Sequence, residues 1–291
     1  IDPFVMKNIP YYLVLGVFCG FVSLYFTRTT LSLEDKIKGI ENPYKRWAFR
    51  ALMLGILIYI FPPLYGEGYH ALESLLTGNP VQGLDTSLFA SLLNYKWFVP
   101  IFFLFVLIFK VFAMSFTNAG GGVGGTFGPT LIVGGIAGFV LARVINLTGI
   151  HVLPENNFVL VGMAGLMAGV MQAPVTAIFL IADMTGGYEL LIPLIITATI
   201  SYAATRTIEP YSIYTKRIAK KGELLTHDSD QAVLTLLKTN DLIETDLAPV
   251  QIDYTMRELV DAVAHSKRNI FPVVDSKNHF QGYVSLDDIR S

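Results

Sequence analysis

The amino-acid sequence predicts an all-α, polytopic membrane domain over residues 1–221. A linker follows over 222–236, and then a partial α+β module over 237–291. Three observations predict this. Charged residues are only 15% of the 291, against roughly 25% in soluble domains, and mean hydropathy is +0.52. The apolar residues gather in long runs ahead of Gly222, and frequent charges return after it. Lys and Arg collect in alternate loops, as they do in proteins that cross a bilayer repeatedly. The same composition excludes other classes. A net charge of -2 offers no footprint for nucleic acid. One Cys rules out a disulfide framework and a cysteine metal cluster, and no two His share metal-ligand spacing. No nucleophile-base pair is visible, so no enzyme and no catalytic residue is expected.

The apolar runs are residues 9–26, 47–64, 97–116, 129–147, 158–182 and 190–204. A spanning helix needs about 20 mostly apolar residues, and several of the runs reach that. Gly and Pro break the others, which points to short, tilted or re-entrant helices. The first connection carries Lys36, Lys38, Lys45, Arg46 and Arg50 and is placed in the cytoplasm. Residues 65–95 hold Glu67, Glu73 and Asp85 without Lys or Arg, and face outward. The connection at His151 and Glu155 faces outward for the same reason. Arg206, Lys216, Arg217, Lys220 and Lys221 return the chain to the cytoplasm, which makes the C-terminal tail cytoplasmic. Around residues 118–128 the backbone is expected to turn inside the membrane. The chain opens Ile1-Asp2-Pro3 and its first Met is Met6, which reads as part of a longer protein.

In the tail, residues 255–266 have helical spacing with Leu259, Val260 and Val263 apolar. Residues 269–275 and 281–285 read as strands around a polar turn. A last helix opens at Asp287, Asp288 and Ile289, with Ser285 or Asp287 as its N-cap. A unit this small buries too little surface to stand alone and needs a partner.

The chemistry lies between Thr117 and Gly138. Gly120, Gly121, Gly122, Gly124 and Gly125 crowd ahead of Thr126-Phe127-Gly128-Pro129, and an apolar helix follows. Glycine permits close backbone approach, and Pro129 suits a first helical turn. Such a loop delivers exposed N–H groups at the positive end of a helix dipole, which is an anion site. The Lys-Ser/Thr ending of a phosphate-binding loop is absent. Gly134, Gly135 and Gly138 read as helix-packing positions. Cys19 reads as a small buried hydrophobe. For Lys110 two readings are open: it raises the local anion concentration, or it snorkels to the interface.

Gly125-Thr126-Phe127-Gly128-Pro129 resembles the G-x-F-x-P anion motif of the CLC family of chloride channels and chloride/proton antiporters. Gly121 to Gly125 and Gly66-Glu67-Gly68-Tyr69 fit the same family. So do Gln172-Ala173-Pro174-Val175-Thr176, Asp183-Met184-Thr185-Gly186-Gly187-Tyr188 and Tyr211-Ser212-Ile213-Tyr214-Thr215, in collinear order. The resemblance implies a CLC-like fold and passage of chloride or a similar small anion, with protons as a second cargo in antiporters. It assigns chloride to the backbone N–H groups of Thr126 and Phe127, with Gly125, Gly128 and Pro129 supporting the turn. The Tyr hydroxyl completing the site is Tyr214, with Tyr211 as the alternative. A homodimer in the lipid bilayer is implied, with apolar faces in residues 9–26 and 173–204 supplying interface, and no cofactor. The family's G-S-G-I-P and G-K/R-E-G-P motifs are absent and belong upstream of Ile1, so this chain alone is expected to be inactive. Channel and antiporter stay undivided. Gly128 stands where Ala is commoner. Asp183 stands where Glu is usual, and is expected to satisfy N–H groups of residues 185–187. Phe271-Pro272-Val273-Val274-Asp275 and Gly282-Tyr283-Val284-Ser285 resemble the start of a CBS-domain pair. There Gly282, Ser285 and Asp288 have the spacing of an adenine-nucleotide contact. That supports an alternative function, a membrane-anchored sensor binding the nucleotide through its tail.

Overall fold

The computed structural model describes residues 2–82, 88–93, 95–119, 124–220, 243 and 245–290. Gly120, Gly121 and Gly122, Asp85, the linker 222–236 and residues 237–242 lie outside the described residues. The chain divides into two compact units, Ile1–Gly222 and Glu223–Ser291.

The first unit is helical. Its helices are α1 (Ile9–Lys38), α2 (Pro43–Ile60), α3 (Tyr69–Leu76), α4 (Phe98–Ala119), α5 (Phe127–Thr148), α6 (Glu155–Met171), α7 (Pro174–Met184), α8 (Leu191–Ile208) and α9 (Ile213–Lys220). Punctuation in the sequence explains the ends. Asn42 caps α2 by accepting from the Tyr44 and Lys45 amides, ahead of Pro43 in the first turn. Gly149, at φ +72°, closes α5. Gln172 takes a left-handed φ of +55° and Pro174 starts a new helix, so residues 158–182 form two short helices rather than one span. Among the described residues, the stretches Met6–Ile37, Phe98–Ala119, Phe127–Thr148 and Leu191–Ala219 are long and apolar enough to cross a membrane.

The core centres on α6, which is buried on all sides along most of its length. Its two faces carry small residues for different neighbours. Gly162 meets α5 at Gly134 and Gly138, so closely that a Cβ on Gly138 would fall on the Phe158 carbonyl. Gly165 and Gly169 meet Cys19 and Ser23 of α1 and Thr197 and Ser201 of α8. Without side chains between them the backbones approach closely, and dispersion replaces the hydrophobic effect that lipid cannot supply. Cys19 is fully buried there, with its Sγ 3.8 Å from the Gly162 carbonyl. A second cluster joins Phe61, Phe89, Phe98, Phe102, Phe105 and Phe109 along one side of α4, with neighbouring ring centroids 5.3 to 6.3 Å apart. At the α5–α6 corner, Arg143 pairs with Glu155 at 2.8 Å. Asn146 there donates to the Leu153 carbonyl and accepts from the Leu153 amide.

The second unit holds β1 (Val250–Gln251), α10 (Met256–His265), β2 (Ile270–Val274), β3 (Phe280–Ser285) and α11 (Leu286–Arg290). The sheet order is β1-β2-β3, with β1 parallel and β3 antiparallel to β2. Phe271 is buried, but Val260, Ile270, Phe280 and Tyr283 stay exposed, as expected for a unit that needs a partner. The strand-turn-strand-helix order follows the sequence pattern, and β1 adds a third strand. The Ser285 hydroxyl and amide donate to Asp288 Oδ2 at 2.6 and 3.0 Å, and the Asp288 amide returns to Ser285 Oγ at 3.3 Å. That is a reciprocal N-cap for α11. The Ser285 hydroxyl, then its amide, holds the Asp288 carboxyl below its ordinary value. A depressed carboxyl stabilises the fold above its unfolded pKa, and the benefit is lost as pH falls through the folded value. Replacing Ser285 by Ala is expected to move the Asp288 titration midpoint upward toward an ordinary Asp, read by NMR. An unmoved midpoint would remove the cap as its cause.

Candidate functional site

The candidate site is the first turn of α5. A helix leaves its first N–H groups without acceptors of its own. Here those groups belong to the Thr126–Gly128 stretch, at the positive end of a 22-residue helix. Thr130 closes the turn from behind: its amide and its hydroxyl both reach the Thr126 carbonyl, at 3.0 and 2.6 Å. Pro129 fills the first turn and Thr126 is buried, while the Phe127 side chain is exposed. Gly124 approaches Asn118 so tightly that a Cβ would strike its amide oxygen.

Tyr214 comes to this turn from α9. Thr126 Oγ1 donates to the Tyr214 hydroxyl at 3.0 Å, across 88 residues of sequence. A hydroxyl that accepts still has its own proton to give. Tyr211 lies before α9, both tyrosines are partly open to solvent, and Tyr214 is the one that reaches Thr126.

Three anchors position α9. Ile213 is fully buried. Lys216 pairs with Glu209, whose other carboxylate oxygen accepts from Arg28 Nε of α1 at 2.7 Å. Arg217 pairs with Glu34 of α1 at 2.5 Å. The Glu209 backbone carbonyl also accepts from Gln172 Nε2 at 2.7 Å, tying the α6–α7 break to the same point. Ser212 Oγ accepts from the Thr215 amide at 3.2 Å and starts the helix.

Another wall faces the same turn. A cavity of about 320 Å³ is lined by Glu67, Lys110, Asn118, Gly124, Gly125 and Pro129, among others. Lys110 neither snorkels nor stands open. At 2% exposure it turns inward and donates to the carbonyls of Gly66 at 2.9 Å and Leu64 at 3.3 Å. Arg50 of α2 donates to the Ala119 carbonyl, holding the end of α4 from which the glycine stretch departs. Asp183 departs from expectation. Among the described residues its carboxylate takes no hydrogen bond, and the turn at 185–187 is held by the Thr185 hydroxyl and by the Asp183 backbone carbonyl. Sequence reasoning missed Arg50 and Glu67 as site residues. Arg50 signalled only as a charge beside an apolar run, and Glu67 lay inside a stretch whose glycines alone were read.

The comparisons with known proteins follow this geometry. The family described as voltage gated chloride channel matches residues 2–206. The chloride channel protein CLC-e of Arabidopsis thaliana is 25% identical, over 97% of this chain and 44% of its own. A voltage-gated ClC-type chloride channel ClcB of Escherichia coli is 30% identical, over 71% of this chain and 45% of its own. The H(+)/Cl(-) exchange transporter ClcA of Salmonella arizonae is 28% identical, over 76% and 44%. The chain thus spans about half the length of the curated relatives it matches. The crystal structure of a slow cyanobacterial Cl-/H+ antiporter shares the fold at a TM-score of 0.58, with 21% identity over 75% of this chain and 48% of that one. A CLC-type fluoride/proton antiporter aligns at 0.57, with 21% identity over 74% and 47%. With its helical unit matched almost end to end, this chain belongs to the voltage gated chloride channel family.

Proposed function

We propose that this chain supplies one wall of a transmembrane pathway for chloride or a similar small anion. The anion is held by the backbone N–H groups of Thr126 and Phe127 and by the Tyr214 hydroxyl. The observation that carries this reading is the meeting of Tyr214 with Thr126 at the start of α5. Thr126 donates to Tyr214, which polarises the phenol and leaves its proton to the anion. Gly125, Gly128 and Pro129 shape the turn. The helix-start dipoles hold the anion while the Lys110 ammonium beside the turn is engaged by the Gly66 and Leu64 carbonyls, and such a site lets the ion leave again. Anion transfer needs no enzyme chemistry and no cofactor. The protein works as an integral membrane homodimer, with the exposed Leu13, Val17, Phe179 and Ile192 supplying part of the interface. Its tail is a CBS-like module on the cytoplasmic side. The Ser285–Asp288 pair is engaged in capping α11, which favours transport over the nucleotide-sensor alternative.

The test is the complete protein in proteoliposomes, with chloride and proton movement recorded together under an imposed potential. Chloride flux that drives protons uphill identifies an antiporter, and flux without protons a channel. No flux of any small anion sinks the reading. Chloride flux from residues 1–291 alone would contradict the need for an upstream half. Tyr214→Phe is expected to raise the chloride Kd about tenfold, the loss of one hydrogen bond to a charged group. Calorimetric titration checks it, and an unchanged Kd would remove Tyr214 from the site.

A further inference from the structure

We propose that Glu67 is a resident counter-anion at the entrance of α5, a fixed carboxylate that loosens the hold on the mobile anion and so sets how readily it leaves. This rests on the anion-pathway reading above. Gly128 is the second residue of α5, and a Cβ there would stand 3.3 Å from Glu67 Oε2 and 3.4 Å from the Tyr69 hydroxyl. The carboxylate therefore lies against the space a side chain would take, beside the N–H groups assigned to the anion.

Three neighbours keep it there. The Tyr69 hydroxyl stands beside it, against the same face of Gly128. The Lys110 ammonium attracts it from inside the core and fixes the preceding residue through the Gly66 carbonyl at 2.9 Å. Gly68, at φ +94°, lets the chain reverse so that Glu67 and Tyr69 reach the same residue of α5. The carboxylate also lines the cavity of about 320 Å³ with Gly124, Gly125 and Pro129, so its charge acts on the space next to the turn.

A carboxylate is itself stabilised at a helix N-terminus, where it offsets part of the dipole's positive end. A second anion arriving there meets a weaker attraction and a like charge. Unit charges several ångström apart in a partly screened site interact strongly enough to change an affinity tenfold. Weak holding is what passage requires, because an ion bound too tightly does not leave.

The experiment is chloride titration calorimetry on the complete protein in detergent, with flux measured in parallel. Glu67→Gln keeps the shape while removing the charge. It is expected to lower the chloride Kd about tenfold, or roughly 1.4 kcal/mol, and to slow turnover. Gly128→Ala sets a Cβ 3.3 Å from Glu67 Oε2, so the carboxylate must draw back by a few tenths of an ångström, and the Kd is expected to fall by less than in Glu67→Gln. A Glu67→Gln protein whose Kd lies within about twofold of the parent overturns the inference. If that variant does not purify, an unchanged Kd in Gly128→Ala overturns it. If the unaltered protein neither binds nor moves chloride, the pathway reading fails and this inference falls with it. Chloride binding with unaltered affinity in both variants sinks the role of Glu67 alone.

Discussion

Gly138→Ala is expected to separate α5 from α6. A Cβ at this position would overlap the Phe158 carbonyl, and Gly162 opposite already lies against the Gly134 carbonyl and the Gly138 backbone. The obstructing atoms are backbone on both sides, so no rotamer change relieves the overlap and whole helices must move. Ala gains about 1 kcal/mol in helix propensity over Gly. Overpacking of this kind costs about 3 kcal/mol or more, so the clash wins. The net loss of about 2 kcal/mol should lower the apparent melting temperature in detergent by about 4 to 8 °C. Gly55→Ala is the control, because nothing lies within 4 Å of a Cβ there, and it should melt at or slightly above the parent. A Gly138→Ala protein that melts with the parent would show that the seam is looser than described.

Glu209→Ala is expected to release α9 and with it Tyr214. The Glu209 side chain is 9% exposed and joins Arg28 of α1 to Lys216 of α9. Removing one partner of a buried pair costs about 3 to 5 kcal/mol. Arg28 is 60% exposed and can return to water, so roughly 2 kcal/mol is expected here. That loss raises the open population of α9 about 30-fold. Trypsin should then cut after Lys216 and Arg217 about 30-fold faster, with the rest of the unit still protected. Cleavage at the parental rate would mean that Ile213 and the Arg217–Glu34 pair hold α9 by themselves.

The residues show why some of this was legible in the sequence. Apolar length and Gly/Pro punctuation mark α4, α5 and α8, since both signals are local. The sequence reading ended the first run at Phe26, whereas α1 continues to Lys38. Arg28 and Glu34 look like the end of a span, yet each has an ion-pair partner near α9. Pro174 marked the break that splits 158–182 at Gln172, whereas α3 lay outside every apolar run. At the site, the turn chemistry marks a glycine-rich helix start with free N–H groups, and the family resemblance assigns Thr126, Phe127 and Tyr214 to the anion. Lys110 in an apolar run announces only that it must be satisfied. Its acceptors lie 44 and 46 residues away, beyond any periodicity. Glu67 stands in a stretch the resemblance marked, but its contact is hidden for the same reason, because its neighbour is Gly128, a residue with no side chain to signal it.

The brevity of α6 and α7 bears on how the protein reaches its membrane. They are 17 and 11 residues long, split by a left-handed Gln172, and short of the roughly 20 residues that insert independently. The glycine faces of α6 gain their packing only against α5, α1 and α8. Insertion machinery reading one helix at a time gains little by handing α6 to lipid before those partners are present. The place of α6 and α7 is therefore set by the helices around them, α1 and α5 from before and α8 from after, more than by their own apolar length.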